Sequence, residues 1–86
     1  MLSGHVDEVC AHVARVLREE RQKRNLSMTL LARKAGLSRA MISFVESEFR
    51  NPSLETLLRI AYVLEMNLAE VIQRAEDAVA KKKRIK

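Results

Sequence analysis

The sequence predicts an all-α fold of five helices, and three observations predict it. Apolar residues make up 48% of the 86 but aromatics only 3%, so the core is built from Leu, Ile, Val, Ala and Met, a palette that suits packed helices better than a β-sandwich. One Pro and two Gly are too few turn formers for many short strands. Apolar residues also recur at three- and four-residue steps in five successive stretches, each bounded by residues that start or stop a helix. A chain this short forms one domain at most, read as residues 1–80 followed by a basic tail at 81–86. It buries only a modest core unless it pairs with another chain.

Val6, Val9, Cys10, Val13, Val16 and Leu17 mark one face of a first helix from about residue 6 to 24. Asn25 ends it, and the Ser27 hydroxyl can accept from the free amides of a second helix spanning Met28 to Ala35. That helix buries Leu31, Ala32 and Ala35. In Gly36-Leu37-Ser38, a Gly tolerates left-handed backbone past one helix end and a Ser caps the next, so two helices meet through a very tight turn. The third helix runs from about Arg39 to Ser47. Ile42 and Val45 face the core, Met41 lies at the edge of that face, and Ala40, Ser43, Phe44 and Ser47 lie opposite. Phe49-Arg50-Asn51-Pro52 reads as extended or turn, since the residue before a Pro avoids the α region. Ser53 caps a fourth helix with Leu54, Leu57, Leu58, Ala61 and Leu64 at helical spacing. Asn67 and Glu70 resemble a reciprocal capping pair opening a fifth, whose stripe is Leu68, Val71, Ile72, Ala75 and Val79.

The net charge of +5 is unevenly placed. Five of the sixteen basic residues lie at 81–86, and the remaining eleven are matched by eleven acidic ones. A nucleic-acid face therefore has to come from local distribution. The window from Arg15 to Arg39 offers one, with Arg15, Arg18, Arg21, Lys23, Arg24, Arg33, Lys34 and Arg39 against Glu19 and Glu20. The single Cys10 excludes an intramolecular disulfide, no secretory signal pattern is present, and no apolar run approaches the ~20 residues of a membrane span, so a cytoplasmic protein is expected. His5, His12 and Cys10 do not make a convincing metal set, because Cys10 lies on the apolar stripe and His12 off it. With no catalytic triad, phosphate-cradling loop or paired carboxylates, neither an enzyme nor a cofactor is expected.

Two short helices joined through Gly36 and preceded by a basic helix have the form of a helix-turn-helix. The longer string Leu17-Arg18-Glu19-Glu20-Arg21, Leu26-Ser27, Leu31-Ala32, Gly36-Leu37-Ser38, Ile42-Ser43, Glu46 and Arg50-Asn51-Pro52-Ser53-Leu54-Glu55-Thr56-Leu57 closely resembles the Cro and phage-repressor, or xenobiotic-response-element, family of regulators over about residues 13 to 73. The resemblance implies five helices, a two-fold dimer on double-stranded operator DNA, and a third helix in the major groove, where each base pair presents a distinct donor and acceptor pattern. It also implies that Glu46 pairs with Arg21 from the first helix. Two departures stand out. Met28 occupies a position where the family commonly has Gln, and Glu46-Ser47-Glu48 replaces the usual Glu-x-Gly, so either the third helix runs longer or the turn differs. Controllers of restriction-modification systems also lack that Gly and carry Arg-Asn after it, which brings this sequence closer to that branch.

On this reading the base-contact candidates are Arg39, Ala40, Met41, Ser43 and Phe44, with Arg39 foremost because a guanidinium can donate a bidentate pair to guanine. Phe44 is open to DNA contact, to packing within the chain or to a protein partner. Ser27, Met28, Thr29, Arg50 and Asn51 are candidate phosphate contacts, Ser27 having the alternative of a pure helix cap. Leu68, Val71, Ile72, Ala75 and Val79 are the candidate homodimer seam, against packing wholly within one chain. The tail at 81–86 is either solvated or held against phosphates. The rival function is a protein-interaction module, an antitoxin or bridging factor on the same fold.

Overall fold

The computed structural model describes residues 2–48 and 51–84, which form five helices: α1 Leu2–Lys23, α2 Met28–Ala35, α3 Arg39–Glu46, α4 Leu54–Val63 and α5 Leu68–Arg84. The α2 bounds are those read from the sequence, and α3 stops one residue sooner. α1 begins four residues before Val6, because burial periodicity locates only the part of a helix that packs, and Val6 is itself exposed.

Serines set the starts of three helices. The side chains of Ser27, Ser38 and Ser53 accept from the amides of Leu30, Met41 and Thr56 at 3.0, 3.0 and 3.1 Å, which satisfies a donor with no partner inside the helix. α5 opens on Asn67, whose Oδ1 accepts from Ala69 N at 3.1 Å. Three helices also end alike. Asn25, Gly36 and Glu65 take left-handed backbone at φ 57°, 71° and 58°, and the next amide returns to a carbonyl five residues back: Leu26 to Arg21, Leu37 to Ala32 and Met66 to Ala61, at 3.1, 2.9 and 2.9 Å. These turns fold Leu26, Leu37 and Met66 onto the core.

The core draws on every helix, with Leu17, Leu31, Ile42, Val45, Ile60, Leu64 and Val71 fully buried. α5 packs chiefly on α1, and this corrects the seam expected from the sequence. Leu68, Val71, Ala75 and Val79 are buried within the single chain, and of that stripe only Ile72 reaches the surface. The reason is that α1 turns Val13, Val16 and Leu17 into the core, and these supply the apolar surface that α5 needs. Glu20 adds a polar tie: it accepts from Arg74 of α5 at 3.0 Å and is also bridged by Arg24 and Lys23. α4 differs from its reading in the opposite direction. Ala61 and Leu64 are buried and Leu57 half-buried, but Leu54 and Leu58 face outward with Tyr62. Residues 81–84, read as tail, continue α5.

Candidate nucleic-acid interface

α3 is eight residues long and divides by helical spacing into two faces. Ile42 and Val45 are buried, and Met41 is half-buried against the core. Arg39, Ala40, Ser43 and Phe44 are exposed. Ser47, half-buried, donates its hydroxyl to Phe44 O at 2.8 Å and so closes the last turn. Because the Ser38 side chain occupies the Met41 amide, the Arg39 side chain starts at the capped end of the helix and takes no part in the cap itself.

The α3 carboxylate is turned inward. Glu46 is buried, and Arg21 of α1 meets it with two bonds, Nε to Oε2 at 2.7 Å and Nη2 to Oε1 at 3.1 Å. The third Arg21 nitrogen donates to Leu26 O at 2.7 Å, so one guanidinium joins α1, the turn before α2 and α3. Beside it, Arg18 donates to Glu46 O at 3.4 Å and to Glu48 at 3.1 Å, and Arg15 reaches Glu48 at 3.1 Å. Glu48 has φ 71°, the backbone that Gly adopts at least cost. The hydrogen bond and charge of Arg15 hold its carboxyl below the usual carboxylate range. The turn after α3 therefore keeps a left-handed residue without a Gly, and two arginines hold the side chain that replaces it.

These pairings revise the basic window. Arg15, Arg18, Arg21 and Arg24 end at Glu48, Glu46 or Glu20, and Lys23 also approaches Glu20. Arg15, Arg18 and Arg21 thereby hold α1 to α3 and the turn after it, and Arg24 and Lys23 pair at the end of α1, whereas Arg33, Lys34 and Arg39 are exposed. Glu48 and Glu20 escaped the sequence reading as structural partners. The only signal was that Glu48 stands where a Gly was expected.

Around the start of α2, Thr29 is exposed, and the Ser27 hydroxyl caps while keeping its own proton to donate. The Met28 side chain rests on the core, which leaves its backbone amide as the group that can face an anion. Asn51 is exposed ahead of α4, and Arg50 lies outside the described residues. The end of α2 is held from behind: Arg59 of α4 donates to Ala35 O at 3.2 Å, and a Cβ at Gly36 would lie 3.2 Å from the same guanidinium nitrogen.

No described helix is long and apolar enough to cross a membrane, and no cluster of metal-ligating residues occurs among the described residues. No curated protein matches the chain. Among solved structures it is similar to a tyrosine-to-alanine mutant of the Restriction-Modification Controller Protein C.Esp1396I, with 25% identity, a TM-score of 0.74, and 85% of this chain and 95% of that one covered. A family model described as Helix-turn-helix matches residues 17–71, a span that runs from the buried Leu17 to Val71 and takes in the Arg21–Glu46 pair, the three capping serines and the Gly36 turn. The chain thus belongs to the Cro and phage-repressor type of helix-turn-helix family, whose members are DNA-binding regulators of transcription.

Proposed function

We propose that the protein binds an inverted-repeat operator as a homodimer, with α3 of each copy in the major groove. The observation that carries this reading is the outward face of α3. It presents Arg39, Ala40, Ser43 and Phe44, while its one carboxylate is turned inward and neutralised by Arg21. A surface without negative charge, headed by an exposed guanidinium, suits a groove lined by base acceptors between two rows of phosphates.

Arg39 reads guanine through O6 and N7, and Ala40 and Phe44 lie against thymine methyls or sugar edges. Met41, partly held by the core, has the least reach. Phosphates are met by the Ser27 hydroxyl, the amide of Met28, Thr29, Asn51 and Arg50, which fix register without reading sequence. A two-fold dimer places the two recognition helices about 34 Å apart, one turn of DNA. Likeness to a restriction-modification controller makes a promoter of such a system the first natural DNA to test.

The test is selection from a random duplex pool with the wild type and with Arg39→Ala. The expected result is a two-fold motif whose guanine preference falls in the variant by about 1–3 kcal/mol, roughly 5- to 150-fold. No enrichment above non-specific binding would overturn the proposal and leave the interaction module, antitoxin or bridging factor, in its place.

A further inference from the structure

With α5 packed against α1, the homodimer proposed above has to find another surface, and α4 presents one. Leu54, Leu58 and Tyr62 stand at successive four-residue steps on its outer side, 64%, 49% and 84% exposed. The other large apolar side chains exposed among the described residues are Val6, Phe44 and Ile72, one each on α1, α3 and α5. α4 alone carries three in a row.

We infer that this face of α4 is the seam with a second copy of the chain, the two helices crossing antiparallel with the two-fold axis at Leu58. The inference rests on the homodimer reading and adds its location. Three features favour a second copy as the occupant. The stripe is symmetric about its centre, so rotation about Leu58 sets Leu58 against itself and Leu54 of each copy against Tyr62 of the other, as an isologous contact requires. The charges beside it balance: Lys34 and Arg59 on one hand, Glu55 and Glu65 on the other, border two hollows of about 410 and 630 Å³ that meet at Tyr62. The bordering charges therefore sum to zero on each copy, so two copies meet there without net repulsion, and each hollow can take a side chain of the other copy. The seam is also tied to the end of α2, next to the turn into the recognition helix. Arg59 binds Glu55 at 2.9 and 3.1 Å and Ala35 O at 3.2 Å, and Ala35 is the last residue before the turn into α3.

Three side chains form the centre of an interface, not the ~800 Å² per partner of a standard one, so the rim has to complete it. The dimer should accordingly be reversible and dependent on concentration.

The experiment has two arms on the full-length chain. In the first, Leu58→Cys and Ile72→Cys are each made in a Cys10→Ser background and oxidised mildly. Two cysteines facing across a two-fold reach disulfide geometry only where their Cβ atoms approach within about 4.5 Å. Leu58→Cys should crosslink into dimers and Ile72→Cys should not; the reverse pattern would overturn the seam. In the second arm, sedimentation of the wild type and of Tyr62→Asp should show dimerisation weakened at least tenfold in the variant, with helical content and single half-site affinity kept. A wild-type dimer that persists unchanged in Tyr62→Asp removes α4 as the seam but leaves the homodimer standing. A wild type that is monomeric both free and on an inverted repeat removes both.

Discussion

Four arginines of α1 and the turn after it finish at carboxylates, and Arg21 carries the greatest consequence because both it and Glu46 are nearly sealed from water, at 10% and 5% side-chain exposure. A buried pair of this kind contributes little net stability against an apolar substitute, but removing one member strands the other charge. Glu46→Ala should therefore lose about 3–5 kcal/mol in chemical denaturation, with DNA affinity falling only as far as the folded fraction does. Normal stability with selective loss of binding would contradict this. The identity of this pair was reachable only through the family resemblance, since nothing in the spacing of residues 21 and 46 joins them. Glu48 was harder still. Its partners Arg15 and Arg18 lie some thirty residues away in sequence, so a count of local charge assigned those arginines to a nucleic-acid face, whereas the structure pairs them with a carboxylate. Arg39, by contrast, was legible, because a Ser cap and a two-faced helix fix where its first residue points.

At the level of elements, what was legible is local chemistry. The caps at Ser27, Ser38 and Ser53 and the left-handed Gly36 each act within four residues, and the structure places them as the sequence does. What was not legible is which apolar stripe meets which. The stripes of α1 and α5 were both visible, but their separation by some fifty residues hid that each covers the other, so the length of the α5 stripe suggested a second chain. The packing of these two helices is fastened by Glu20, whose carboxyl is pulled from 4.5 to about 2, first by the hydrogen bond from Arg24 and then by that from Arg74, against the opposing cost of burial. A folded-state value below the unfolded one stabilises the fold at every pH above the unfolded value, and that gain disappears as pH falls toward the folded value. Stability should thus be flat above about pH 5 and decline between roughly pH 4.5 and 2. Glu20→Gln should lower stability at pH 7 and flatten that acid limb in denaturation series. An acid limb as steep as the wild type would assign the titration elsewhere, with Glu48 the first group to examine, since its carboxyl is lowered for the same kind of reason.

For the whole molecule, the positive charge left for DNA is smaller than the sequence suggests and more concentrated. α1 neutralises most of its arginines internally, and among the described residues Arg33, Lys34 and Arg39 are exposed basic groups outside those pairs; the sequence adds the basic run at 81–86. Deleting residues 81–86 tests how far the run contributes. If it meets phosphates, log affinity against log salt should flatten by about 0.9 for each phosphate the shortened chain no longer neutralises, with sequence preference unchanged; an unaltered slope would return the run to solvent.

The pairing of α1 with α5 also has a consequence in time. Val13, Val16 and Leu17 find their cover in residues such as Val71 and Ala75, which are synthesised long after them. At about 5–20 residues per second, α1 leaves the ribosome seconds before the surface that shields it exists. The helix-turn-helix between them is complete as sequence before it is stable as structure. A chain cut short ahead of α5 should consequently be a substrate for proteases instead of a weak competitor for the operator, so each molecule is released to DNA only after its fifth helix has been made.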